Sequence, residues 1–403
     1  MQLGSVFAVI AAFCLTVSVA AAAPLSRPRI DAPALAALGP YAVGLKRIEL
    51  VDRSVPGGRS LPVDIWYPAG STPGAKPVIY ADGLSGEPPR GRVAFTTPGI
   101  AVRGARQAKG SFPLIIVSHG YSGTPAAMTW LTENLASKGY VVAAPHHNDP
   151  DYSDAKGRDI PRLRRPLDIA FVARTLQASA RTGALPGVDT GRVALIGYSM
   201  GGYGVVTVAG ARLVAGGSPA PLEGLKAVVA IAPAGASTNF AAWGPEGLAA
   251  LKTPLLVIAG DRDHVVGFAD GPRKVYDSAV HADRYLLVFQ GGGHNIGMNG
   301  APPQMQGQLW DLDWFEDPVW SKTRTAAIQQ HMITAFLDRY VKGDMGRDAY
   351  LVNDTPMAND AVWPVAPSMA YAAISPGGPG AVWKGFPRNH AVGLELHHAS
   401  PTR

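Results

Sequence analysis

Cysteine is almost absent from this chain of 403 residues: Cys14 is the only one. It falls within residues 1–23, whose apolar run over 6–23 stops at Pro24 and whose alanines offer small residues to a signal peptidase. The segment therefore reads as a signal peptide cut after Ala20 or Ala22. The mature protein then holds no thiol, which excludes a cysteine nucleophile, a disulfide framework and any thiolate metal site. Lysine and arginine are missing ahead of the apolar run, which leaves an uncleaved anchor as the alternative. No later run is apolar for long enough to span a bilayer, so no stable membrane insertion is expected after cleavage. The destination is the periplasm or the medium.

Charge is scarce too. Only 16% of residues are charged, with a net +6 that is dispersed along the chain. The one basic cluster, Lys156, Arg158, Arg162, Arg164 and Arg165, has no interleaved aromatic residues and reads as a solvated loop, so no nucleic-acid partner is expected. With 47% hydrophobic residues and no compositional break between halves, the chain suits one large domain with trimmings at both ends. Internal repeats and low-complexity tracts are absent.

What is present is a rhythm. After an extension over 24–42, strand-like runs at 45–51 and 61–67 flank Val55, Pro56, Gly57 and Gly58 and read as an antiparallel hairpin. Residues 68–110 are rich in glycine and proline and read as an elaborated loop. From Pro113 onward, strand-like runs at 114–118, 140–144, 193–197, 227–232, 255–259 and 285–289 alternate with helical patterns at 126–138, 166–180, 200–214, 271–279 and 322–342. That alternation implies an α/β fold with a mostly parallel central sheet flanked by helices. The catalytic domain is placed at 43–345. Residues 346–403 carry Trp363, Trp383 and Phe386, too many aromatics for a free tail, and are expected to pack on the domain as a wrapping extension.

The chemistry concentrates after the strands. Gly197, Tyr198, Ser199, Met200 and Gly201 form a G-x-S-x-G turn between an apolar strand and a helix, which makes Ser199 the candidate nucleophile. A serine hydroxyl needs a base, and the base needs an orienting carboxylate. The strand at 255–259 empties into Asp261, Arg262, Asp263 and His264; Asp263 is favoured as the acid, with room to fold back, and Asp261 as the residue that holds the turn. The strand at 285–289 runs into Gly291, Gly292, Gly293 and His294, a loop able to bring the His294 imidazole to Ser199; His264 is the alternative base. The oxyanion requires backbone amides. Met200, at the head of a helix, supplies one, and Tyr121, in the turn Ser118, His119, Gly120 after the first parallel strand, the other. His119 is expected to brace that turn. His146, His147 and Asp149 match no metal-loop spacing and read as a pocket-edge loop, and Trp310, Trp314, Phe315 and Trp320 as core residues or a roof over the cleft. No metal or cofactor is expected.

These segments together resemble the α/β-hydrolase superfamily, and within it the dienelactone hydrolase-like and bacterial platelet-activating-factor acetylhydrolase-like esterases. The resemblance is carried by Ile65, Trp66, Tyr67, Pro68; by Ser118, His119, Gly120; by Leu135 to Val142; by Arg165, Pro166, Leu167, Asp168; by the nucleophile turn; and by Phe336 to Tyr340. It implies Ser199 as nucleophile, Asp263 as acid, His294 as base and the amides of Tyr121 and Met200 as the oxyanion hole. Dienelactone hydrolases use cysteine where Ser199 stands, which points away from the dienelactone substrate. Tyr198 to Gly202 with Tyr121 also looks like the bacterial cutinases and polyester hydrolases. The resemblance thus implies an exported serine esterase acting on small or polymeric carboxylic esters.

Overall fold

The computed structural model describes residues 29–402 apart from 155–156, 158, 238–239, 354, 361–382 and 388. The proposed leader with Cys14, and Lys156, Arg158 and Trp363, lie outside the described residues. The strands are β1 (Ala42–Asp52), β2 (Arg59–Ala69), β3 (Ile79–Ser85), β4 (Arg92–Pro98), β5 (Val102–Arg103), β6 (Phe112–Ser118), β7 (Val141–Pro145), β8 (Val188–Tyr198), β9 (Leu225–Ile231), β10 (Leu255–Gly260), β11 (Arg284–Phe289) and β12 (Leu394–Ala399). The helices that matter below are α1 (Thr129–Ser137), α2 (Ile160–Arg181), α3 (Met200–Val208), α4 (Pro245–Ala249), α5 (Lys274–Ser278), α6 (Leu309–Asp313) and α7 (Lys322–Tyr340).

Ten strands form one sheet in the order β12-β11-β10-β9-β8-β6-β7-β2-β1-β5. The strands from β6 to β11 are mutually parallel, and the β1–β2 hairpin continues the sheet antiparallel to β7. Central strands are apolar on both faces because both are covered. In β6, Ile115 and Val117 face the layer of α1 and α7, whereas Leu114 and Ile116 face the layer of α2, α3 and α5. This doubly covered parallel sheet is the α/β-hydrolase architecture. It delivers the carboxyl ends of β6, β8, β10 and β11 to one edge, where ligands bind in such sheets.

Four departures from the sequence reading have physical causes. Residues 68–110 are not a plain loop: β3 and β4 pair as a separate two-stranded sheet and β5 joins the edge of the main one. The small hairpin buries Tyr80, Leu84 and Phe95 but leaves most other positions partly open, so its alternation is too broken to read. The tail does more than wrap, since β12 adds antiparallel to β11 and extends the sheet, while Trp383 and Phe386 are buried, the latter against His331 of α7. The helix after Ser199 stops at Val208, because Gly210 takes a φ of +126° that a continuing helix cannot adopt.

The fourth departure concerns α2, which begins at Ile160 and carries Pro166 inside it. Proline has no amide hydrogen, so the carbonyl four residues earlier, that of Arg162, loses its helical partner. The Tyr203 hydroxyl donates to that carbonyl at 2.8 Å, which repairs the break and ties α3 to α2. Tyr203→Phe is therefore expected to lower stability by about 1–2 kcal/mol, read as a lower urea midpoint at unchanged m-value.

Candidate active site

β8 ends in Tyr198, and the chain turns at Ser199 directly into α3. Ser199 sits at φ 54°, ψ −114°, a conformation costly for a residue with a side chain. Three backbone bonds hold it there: its amide donates to Ile231 at 2.9 Å, and its carbonyl accepts from Tyr203 at 3.1 Å and Ala234 at 3.0 Å. The flanking glycines are sterically required. A Cβ on Gly197 would lie 2.2 Å from the carbonyl oxygen of Gly201, and one on Gly201 would lie 2.0 Å from that of Ser118.

The loops after β10 and β11 bring the two partners to this serine. The Ser199 hydroxyl donates to His294 Nε2 at 3.0 Å, and His294 Nδ1 donates to Asp263 Oδ2 at 2.7 Å. The other oxygen of Asp263 accepts from the amides of Val265 at 2.9 Å and Val266 at 3.0 Å, so the carboxylate is held on both sides. Burial pushes the Asp263 carboxyl up, but the hydrogen bond and charge of His294 together with the two amides outweigh it and leave it below the usual range. Asp261 takes the turn position: its Oδ1 accepts from the amide of Gly291 at 2.7 Å. His264 is exposed and away from this chain of bonds.

Met200 occupies the first position of α3, where an amide has no intrahelical acceptor. The turn bearing Tyr121 abuts Ser199, since a Cβ on Gly120 would lie 3.5 Å from that of Ser199. Positive helix-end character and the two loops thus converge beside Ser199 Oγ.

The residues that hold the Tyr121 turn were not legible as a site. Arg165, read as part of a solvated basic loop, is fully buried, because α2 starts early enough to turn it inward. Its guanidinium donates to the His119 carbonyl and pairs with Asp149, whose Oδ2 also accepts from the Ser122 amide at 3.0 Å. His119 Nδ1 bonds the Gly120 carbonyl at 2.7 Å, the bracing expected of it. His147, in the loop read as a pocket edge, lines a cavity of about 300 Å³ with His146, Asn148 and Asp149, and its side chain is buried: its Nε2 meets Ser118 Oγ at 2.9 Å and its Nδ1 meets Asp168 at 3.1 Å, with Arg59 forked onto Asp168. Ser118, His147 and Asp168 repeat the Ser-His-Asp pattern, but no solvent reaches Ser118, so this set serves as a brace. Burial, reinforced by the charges of Arg165 and Arg59, drives the His147 imidazole well below its usual range and keeps it neutral. The available signal was the run Arg165, Pro166, Leu167, Asp168, in which an arginine and an aspartate flank a proline on one helix.

Arg165 accordingly holds the turn that carries Tyr121. Arg165→Met strands Asp149 and frees the His119 carbonyl, so a stability loss of about 3–5 kcal/mol is expected. An oxyanion-binding role for the Tyr121 amide predicts that kcat falls about 100-fold, measured at a temperature where circular dichroism shows the variant folded. Wild-type kcat in a folded Arg165→Met protein would leave only a structural role.

An aromatic wall stands at the Tyr121 turn. Tyr152 packs edge-on to Tyr121 at 4.9 Å between ring centres and lies 5.6 Å from Trp314 and 5.9 Å from Trp310. Ser85 at the end of β3 collects this group: its carbonyl accepts from both indoles, and its hydroxyl accepts from the Tyr152 amide at 2.9 Å. Asn295, next to His294, donates to the Asp313 carbonyl and ties α6 to the histidine loop. The tryptophan cluster is thus divided, with Phe315 and Trp320 in the core and Trp310 and Trp314 in the wall.

Known proteins share this architecture. A family described as PETase, PET hydrolase-like matches residues 99–353. Cutinase 2 of Thermobifida cellulosilytica is 27% identical over 186 residues, 46% of this chain and 61% of its own length. A bis(hydroxyethyl) terephthalate hydrolase of Streptomyces coelicolor is 26% identical over 187 residues, 46% of this chain and 51% of its own length. The chain therefore spans between half and two thirds of these relatives. A ferulic acid esterase from Streptomyces cinnamoneus superposes with a TM-score of 0.54 at 23% identity, covering 80% of this chain and 93% of that one, and so shares the fold.

Proposed function

This chain belongs to the PET hydrolase-like family of the α/β-hydrolase superfamily, and from that premise we propose that it is a serine hydrolase of carboxylic esters. The observation that carries this reading is the continuous path from Ser199 Oγ through the His294 ring to Asp263, at 3.0 and 2.7 Å. In the proposed reaction Ser199 Oγ attacks the ester carbonyl while His294 Nε2 takes its proton. The amides of Met200 and Tyr121 receive the oxyanion. Collapse of the tetrahedral adduct expels the alcohol, protonated by His294, and leaves an acyl group on Ser199. Water, deprotonated by His294, then releases the acid and restores the serine.

The direct test is labelling with a fluorophosphonate probe followed by peptide mapping. Stoichiometric modification of Ser199 is expected, and a protein that stays unlabelled, or is labelled elsewhere, overturns the reading. Polyester cleavage is a second reading, favoured by the family match and the cutinase relatives. Release of soluble acid from a polyester film, set beside hydrolysis of a soluble nitrophenyl ester, separates the two. Export is proposed on the leader-like composition of residues 1–23. N-terminal sequencing of the protein recovered outside the cytoplasm checks it.

A further inference from the structure

A cavity of about 560 Å³ opens on the sheet face covered by α1 and α7, lined by the segment around Asp31, the end of β4, α1 and the first turns of α7. Ser199, Asp263 and His294 are not among its walls. Its volume suits a small organic molecule, and Pro98, Ile100, Met298, Pro302 and Ile328 supply an apolar lining.

Lys322, the first residue of α7, also lines this cavity and is only 9% exposed. Its ammonium donates to the Asn295 carbonyl, one of the three bonds it can make. Among the described residues no carboxylate lies within ion-pair distance of it. Glu316 and Asp317 are the acids it feels, and both are otherwise engaged. Glu316 accepts from the Ala301 amide at 2.7 Å, and Asp317 accepts from Gly293, Val319 and Trp320.

The other charges at the cavity do not supply a counter-ion. Arg29 and Asp31 pair with each other at 2.9 Å. Glu133 accepts from the amides of Ile100 and Ala101 and from the Tyr80 hydroxyl. Arg324 adds a second positive charge, stacked 4.5 Å over Trp320. A buried cation with no carboxylate in ion-pair contact is costly, and the head of a helix makes it more so by adding positive potential. The balance of the cavity is an apolar chamber with a positive end.

We propose that this cavity binds a small amphipathic carboxylate, its carboxylate group on Lys322 at the head of α7 and its apolar body against Ile100, Met298 and Ile328. Because Lys322 also holds the carbonyl of Asn295, beside His294, a ligand here and the geometry of the histidine loop share one residue. Carboxylic acids are what ester cleavage releases, a link that rests on the hydrolase reading; the binding itself does not.

Calorimetric titration of the full-length protein with sodium octanoate, and separately with 1-octanol, tests the site. Octanoate is expected to bind one per chain and octanol at least tenfold more weakly. Lys322→Met should weaken octanoate about 10- to 100-fold, the loss of one charged hydrogen bond. Ala326→Trp, which fills the chamber from α7 and leaves Lys322 in place, should abolish binding, and it decides the matter if the lysine variant does not fold. Absence of octanoate binding, or unchanged affinity in either folded variant, overturns the proposal. Labelling of Ser199 by a fluorophosphonate is independent of these outcomes, so failure of this site and failure of the hydrolase reading are told apart.

Discussion

Ser199→Ala is expected to lower kcat on a short-chain nitrophenyl ester by about 10⁴-fold or more, with a much smaller change in KM. The size follows from what remains. Without Oγ there is no acyl-enzyme, and His294 can act only on water that the cleft does not position as well as the serine is positioned. The backbone bonds at the turn come from the amide of residue 199 and its carbonyl, not from its side chain. Alanine therefore keeps the loops in place and the protein folded. Steady-state kinetics with thermal melting as the control checks this, and retention of most of the activity would remove Ser199 from the mechanism.

Asp263→Asn should cost nearly as much, about 10⁴-fold in kcat. Asp263 now accepts from the backbone on one oxygen and from His294 Nδ1 on the other. An asparagine would keep its oxygen on the Val265 and Val266 amides and turn its NH₂ towards Nδ1. The imidazole would then carry its proton on Nε2 and present a donor, not an acceptor, to Ser199. The carboxylate is held below the usual range by its partners, so the wild-type residue remains ionised throughout the neutral region. Asp261→Asn is the control: it weakens a turn on the Gly291 amide and should leave kcat within about threefold, a change worth less than 1 kcal/mol. A larger loss from Asp261→Asn than from Asp263→Asn would reverse the roles assigned to the two aspartates.

Much of this was legible along the chain. A strand, a sharp turn and a helix leave local marks, and so do glycines where two backbones touch. Gly197 and Gly201 mark places where the backbones of residues 201 and 118 come too close for any Cβ. Chain order placed Asp263 and His294 after successive parallel strands, and parallel strands end at one edge. The hairpin at 79–98 escaped notice because its apolar positions are few and its burial is shared with residues far away in sequence. The addition of β12 escaped for a similar reason, since an edge strand of six residues, Leu394–Ala399, shows its pairing only with β11 in view.

By itself, then, the chain determined the order of elements, the parallel sheet, the nucleophile turn and the positions of its two expected partners, because each depends on periodicity and short-range sterics. The tertiary structure alone decided which charges are hidden. Arg165 looks like its neighbours Arg162 and Arg164 until the direction of α2 turns it onto Asp149, and Lys322 looks like any lysine opening a helix until the cavity encloses it. Burial is a property of what surrounds a side chain, and those surroundings come from segments as distant in sequence as Arg29 is from Lys322. The aromatic wall beside Tyr121 is decided in the same way, since Ser85, Tyr152, Trp310 and Trp314 come from three separate segments and meet only in the folded chain.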